Sequence, residues 1–257
     1  MRTIKLIIEY DGTNYSGWQV QPNGLAVQQV VEEALLKVVG EAVRLRSSGR
    51  TDAGVHAHGM VATFTTTRTL PLRAFVEGGN RHLPPDIAIL RASEVPAGFQ
   101  PIQDALTKHY RYTIYNALIR SPLRRFSTWH VREPLDMAAM ETAALHFAGT
   151  HDFCSFRASN CAAKTTVRRV DSVTVSRAGD LIVVDVIGEG FLKYMVRVMV
   201  GTLVDIGRGR FAAEYVAWLL KNPDRKKAGV TAPACGLCLI DVTYELIAGP
   251  TFPPTVF

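Results

Sequence analysis

The sequence predicts an α+β fold made of two α/β halves, each with an antiparallel sheet of the split βαβ kind. Three observations point there. Strand-like and helix-like segments alternate as β-α-β, β-α-β up to IAILRAS at 87–93, and the same logic restarts with LTKHYRYTIYN at 106–116. The chain has 257 residues, enough for two modest cores. The segment PAGFQPIQDA at 96–105 reads as the join, which predicts domains at 1–100 and 101–257.

The elements follow in order. IKLIIEY is a strand by its apolar content, and Gly24 leads into AVQQVVEEALLKVVG, where Val27, Val30, Val31, Ala34, Leu35, Val38 and Val39 form one helical stripe ended by Gly40. A short strand (AVRLR), a glycine-rich loop, a strand (MVATFTTT), a helix (LRAFVEGGN) and a strand (IAILRAS) complete the first half. In the second half, DMAAMETAALHFAG at 136–149 is a helix and RRVDSVTVSRAGDLIVVDVIG is a hairpin turning at Ala178, Gly179 and Asp180. Helices at 194–207 and 211–221 and a last strand, GLCLIDVTYEL, close the chain.

Lys and Arg number 29 against 23 Asp and Glu, a net charge of +6, which favours anionic partners such as nucleic acid or a membrane surface. The most apolar late stretch, YMVRVMVGTLVDIG, is too short to span a bilayer and carries Arg197 and Asp205, so no membrane segment is predicted. The four cysteines, 154, 161, 235 and 238, and the absence of a signal-like start predict an intracellular protein with reduced thiols.

SSGRTDAGVHAHG at 47–59 is the stretch richest in chemistry, because it sets Asp52 between Arg50 and the pair His56 and His58. Its residue types allow a turn, a metal site or a catalytic loop. Arg197 narrows the choice. It is the only charge on a helix turn that is apolar nearly all round, and an unpaired guanidinium there would cost several kcal/mol. Asp205 is eight residues on, roughly 12 Å along the axis, so the partner comes from elsewhere, and Asp52 is the candidate. An Asp held by Arg197 would stay ionised on burial, as a nucleophile requires; a structural ion pair or a snorkelling Arg197 is the alternative.

KHYRYTIYN interleaves cations and rings, with Lys108, Tyr110, Tyr112 and Ile114 on one face and His109, Arg111, Thr113 and Tyr115 on the other. Such a face suits a base stacked on a ring beside its phosphate, and equally suits aromatic packing within a sheet. Basic clusters at 120–125, 157–169, 208–210 and 225–227 are either solvated surface or a phosphate-tracking face. CGLC at 235–238 has no second cysteine pair and sits in a leucine-rich strand, and HAH at 56–58 lacks further ligands, so neither a zinc nor a redox site is expected. No GxSxG, Walker or GxGxxG stretch occurs.

GRTDAGVHA at 49–57 resembles the catalytic-loop motif of the TruA family of tRNA pseudouridine synthases. YDGTNYSGWQVQP (10–22), VQQVVEEAL (27–35), NRHLPPDIAI (80–89), KHYRYTIYN (108–116), HDFCSFRA (151–158), GEGFLKYMVRVMVGTLVDIG (188–207) and GLCLIDVTY (236–244) resemble further family blocks in the same order, so the likeness runs from about residue 5 to 245. The resemblance implies two α/β domains, ferredoxin-like halves, meeting at a central basic cleft in a cytoplasmic homodimer without cofactor or metal. It implies conversion of uridine to pseudouridine at positions 38, 39 and 40 in the anticodon stem-loop of tRNA. It places Asp52 on the catalytic aspartate, Tyr110 on the tyrosine that stacks on the target base, and Arg197 and Arg50 on the arginines that pair with the aspartate and help displace the base.

Two departures from the family pattern stand out. FQPIQDA at 99–105 lacks an arginine and a serine that relatives show there, so docking of RNA is expected either to be weaker or to use Lys108 instead, and Lys193 and Tyr194 replace a more frequent histidine-containing pair. Two other functions fit parts of the sequence. A catalytically silent tRNA-binding protein of the same fold would not need Asp52, Tyr110 and Arg197 together, and a metal-dependent hydrolase built on Asp52, His56 and His58 lacks ligands.

Overall fold

The computed structural model describes residues 1–245; residues 246–257, the end of the second predicted domain and of the predicted last strand, lie outside the described residues. The chain is mixed α/β. Among the described residues ten strands form one largely antiparallel sheet, and five α-helical segments pack against it.

β1 (Arg2–Tyr10) alternates as expected, burying Ile4, Leu6, Ile8 and Tyr10. α1 (Val27–Val39) buries Val27, Val31, Ala34, Leu35 and Val39 and ends at Gly40, whose φ of 74° is the left-handed cap that glycine takes most readily. The predicted strand AVRLR is reduced to β2 (Arg46–Ser47). The reason is local: side chains of α1 occupy the backbone of Leu45, its N–H donating to Glu32 (2.8 Å) and its carbonyl accepting from Gln28 (3.2 Å), so no strand partner is needed there.

β3 (His56–Thr66) lies between β1 and β2, antiparallel to both, and β4 (Ile87–Val95) flanks β1. This is the predicted split βαβ order. The predicted helix at 72–80 is a wide π turn (Ala74–Gly78) running into α2 (Gly79–His82). A Cβ on Gly79 would sit 2.6 Å from Ile89 Cδ1, so the glycine lets this helix lie directly on β4.

The second half holds β5 (Ala105–Asn116), β6 (Trp129–Val131), α3 (Met137–Leu145), β7 (Gly149–Asp152), the hairpin β8 (Val167–Ala178) and β9 (Leu181–Gly188), α4 (Met195–Gly207), α5 (Tyr215–Lys221) and β10 (Leu237–Tyr244). Along the sheet the strands run β4-β1-β3-β10-β5-β9-β8-β7. β10 is the seam: it pairs parallel with β3 at His56 and Ala57 and antiparallel with β5. Gly59 permits this approach, since a Cβ there would come within 2.5 Å of the Ile240 carbonyl. The loop before β3 and the chemistry-bearing strand β5 are thereby held one strand apart.

Candidate active site

Residues 48–55 connect β2 to β3 and are fixed at both flanks. Ser48 N–H donates to Val61 O (2.8 Å), and Val55 N–H closes a turn onto Asp52 O (3.1 Å). The segment 10–18 supports the middle of the loop: Trp18 N–H donates to Thr51 O (3.2 Å), and the Tyr10 and Thr51 hydroxyls share a buried hydrogen bond of 2.8 Å. Gly17, with φ 88°, brings that segment so close that a Cβ would meet Thr51 O at 2.5 Å. Asp52 therefore leaves a clamped backbone.

Its carboxylate faces Arg197 of α4, Nη1 donating to Oδ2 at 3.4 Å. The acid partner that the apolar helix demanded comes from the other half of the sheet, 145 residues away in sequence. The guanidinium is oriented twice more: Nε donates to Ala232 O (2.7 Å), and its carbon lies 4.7 Å from the centre of the Tyr194 ring. Ala232 N–H in turn donates to Arg197 O (3.1 Å), which makes residues 229–233 a strap along the helix. Gly201 and Gly229 allow that strap to touch α4, since a Cβ on Gly201 would run into the Val230 carbonyl. Asp205 is answered separately by Arg210 (2.9 Å) and Arg208 (3.6 Å).

Burial raises the Asp52 carboxyl above its ordinary value, and the attraction and hydrogen bond of Arg197, helped by Lys193, offset only part of that. The site thus holds a carboxylate that gains from accepting a proton or a bond more than a solvated one does. Tyr110 is buried within the field of Asp52, and both burial and that negative charge raise its phenol. Phe191 meets the Tyr110 ring edge-on at 5.4 Å. Tyr112 lies wholly inside, its hydroxyl donating to Pro233 O (2.8 Å), while His109 and Arg111 on the opposite face bind Asp185 at 2.6 and 2.9 Å. The predicted two faces of KHYRYTIYN are therefore separate environments.

Arg50 is exposed and, among the described residues, forms no hydrogen bond or ion pair; it does not pair with Asp52. His56 is committed to structure, its Nε2 at 3.1 Å from Cys235 O and its Nδ1 accepting from Gly12 N–H (3.1 Å) beside Asp11. His58 turns the other way, to Glu9 at 2.6 Å. The two thiols of CGLC are pushed up by burial, Cys238 to about 12, and the glycine between them exists for packing: a Cβ on Gly236 would lie 2.5 Å from the Tyr112 ring. The basic clusters divide as well. Arg208 and Arg210 hold Asp205, Arg225 holds Gly229 O and Thr231, and Arg168 points its cation to no acid among the described residues.

A profile of the family described as tRNA pseudouridine synthase matches residues 6–101 and 143–245. The chain belongs to that family. It is therefore an enzyme, an isomerase. Among curated relatives, the tRNA pseudouridine synthase A of Pelobacter propionicus is 76% identical over 95% of this chain and 100% of its own. Those of Geotalea uraniireducens and Myxococcus xanthus are 60% and 49% identical, each over 95% of this chain and over 100% and 93% of their own.

In this member of the synthase family, sequence reasoning overlooked the groups that position Asp52 and Arg197. Tyr10 and Gly17 position the loop of Asp52, and Ala232 and Tyr194 position Arg197. YDGTNYSGW carried the only signal for the first pair. Tyr194 is the one non-glycine residue with positive φ (66°) among the described residues, a conformation imposed where the chain turns into α4.

Proposed function

We propose that the protein isomerises uridine to pseudouridine at positions 38, 39 and 40 of the tRNA anticodon stem-loop. The observation that carries the reading is the pairing of Asp52 from one half of the sheet with Arg197 from the other, beside the buried Tyr110. The substrate class rests on the family and on relatives named tRNA pseudouridine synthase A. Asp52 is the catalytic residue, Tyr110 stacks on the target base, Arg197 holds the carboxylate, and the exposed Arg50, which has no ion-pair partner among the described residues, meets RNA and helps displace the base. The division into domains 1–100 and 101–257 with a basic cleft at their join, a homodimeric assembly and a cytoplasmic location belong to the same proposal. No helix of the described residues is long and apolar enough to cross a membrane.

The reaction breaks the bond between N1 and the ribose, turns the uracil and joins C5 to the same carbon, after which the C5 proton leaves and N1 gains one. Nothing is oxidised and no water is consumed, so the proposal assigns no cofactor. Asp52 acts either by adding to the sugar or base or by taking a sugar proton to form a glycal, with the detached uracil held against the Tyr110 ring. Extruding the nucleotide from a stem costs a few kcal/mol, which contacts such as that of Arg50 offset. The test is to incubate unmodified tRNA with wild type and Asp52→Asn and to map pseudouridine by carbodiimide-stopped primer extension. Signal at 38–40 from wild type alone is expected; equal signal from both, or none from wild type, sinks the proposal. Arg50→Ala with wild-type affinity and turnover would remove the displacement role.

A further inference from the structure

We infer that the cleft between β5, β8 and the loop after β9 seats a backbone phosphate of the RNA strand next to the target nucleotide, held by Lys108 and Arg168. The inference rests on the proposed function for its ligand. The cleft has a volume of about 630 Å³ and is lined by both cations and by Ile102, Val167 and Phe191. The Lys108 side chain is half-buried and, among the described residues, has neither a hydrogen bond nor an acidic partner. Among the described residues the Arg168 side chain donates only to the carbonyls of Thr165 (3.0 Å) and Val167 (2.6 Å). Of the other charges on the wall, Arg169 is taken by Asp171 at 3.0 Å, and Glu189 is exposed and makes no ion pair among the described residues.

Two uncompensated cations thus converge in a recess, a condition that an anion relieves. Burial, and after it the neighbouring Arg168, lowers the Lys108 ammonium from its ordinary value. Two residues tie the recess to the Tyr110 side of the candidate site. Lys108 precedes Tyr110 by two residues on β5, so both side chains leave the same face about 7 Å apart. Phe191 lines the recess and also packs edge-on against Tyr110 at 5.4 Å. The Lys108 Nζ lies 3.6 Å from the position a Cβ on Gly49 would take, immediately before Arg50. A strand whose base rests on Tyr110 carries its adjoining phosphodiester over Lys108, with the apolar wall against the sugar.

The test measures tRNA binding and turnover for wild type, Lys108→Ala, Lys108→Arg and Arg168→Ala at several salt concentrations. Lys108→Ala and Arg168→Ala are each expected to weaken Kd and KM on the order of tenfold, with less change in kcat. Each should lower the slope of log K against log salt by about one, and Lys108→Arg should restore it. Anticodon-arm RNAs with one uncharged methylphosphonate linkage beside the target supply the second readout. The linkage that weakens wild type should be without effect in Lys108→Ala, whereas inorganic phosphate at millimolar concentration should not compete. Unchanged Kd and salt slope in both alanine variants, or equal sensitivity of wild type and Lys108→Ala to every linkage, overturns the inference. Absence of wild-type turnover would instead overturn the proposed function, and the binding comparison would still decide the recess.

Discussion

In the N-terminal half, α1 covers the sheet with a stripe of Val27, Val31, Leu35 and Val39 and leaves Glu33, Leu36 and Lys37 in water. In the C-terminal half, α4 buries every residue from Met195 to Gly207 except Arg197, because α3, β5 and the strap at 229–233 enclose it. A charge on α1 is met by solvent. A charge on α4 must be met by the protein, which is why Arg197 locates the carboxylate of the site while Lys37 locates nothing. The two halves divide the work accordingly: one presents an acid on a clamped loop, and the other presents a cation that a buried helix cannot leave unpaired.

The largest effect is expected from the acid. Asp52→Asn should lower pseudouridine formation by on the order of 10⁴-fold or more while tRNA still binds. Arg197→Met tests the other half and should cost on the order of 10²-fold at neutral pH. Burial already raises the Asp52 carboxyl and Arg197 is the main group opposing it, so losing Arg197 raises it further. If the carboxylate is the active form, the acidic limb of the pH–rate profile moves to higher pH in Arg197→Met and activity recovers partly as pH increases. A limb in the wild-type position would break the link between the halves.

Two glycines separate loop support from helix support. Gly17→Ala combines a positive φ of 88° with a clash at Thr51 O, and Gly201→Ala drives into the strap at Val230. Each should cost about 1–3 kcal/mol in urea unfolding. Gly17→Ala should also lower kcat, since it displaces the residue before Asp52. The smallest effect belongs to CGLC: Cys235→Ala and Cys238→Ala should each change turnover by less than about twofold. A larger loss would give those thiols a part that their half-buried place, where burial pushes both up, argues against.

Much of the fold was legible because each half obeys its own periodicity. The succession of the longer elements, Gly40 as a helix stop and the hairpin turn at Gly179 follow from local pattern, whereas the short strands β6 and β7 went unread. What failed was decided by contacts beyond that range. AVRLR has strand composition, yet Gln28 and Glu32 of α1 claim the backbone of Leu45. LRAFVEGGN becomes a wide π turn followed by a short helix, with Gly79 set against Ile89. At the site, Asp52 and Arg197 were readable by their chemistry, whereas Tyr10, Gly17 and Ala232 act through a hydroxyl, a missing Cβ and a carbonyl that carry no mark in the sequence.

By itself the sequence determined which groups needed partners: a lone guanidinium on an apolar helix, an acid in a glycine-rich loop, and alternating cations and rings on one strand. The tertiary structure decided which partners they received. β10 joins the halves by pairing with β3 on one side and β5 on the other, and that seam sets Asp52 against Arg197 and Lys108 beside Gly49. The physical reason is range. Propensity and periodicity act over a few residues, but the demand of a buried charge for its counter-charge is met in space, by whatever the sheet brings near.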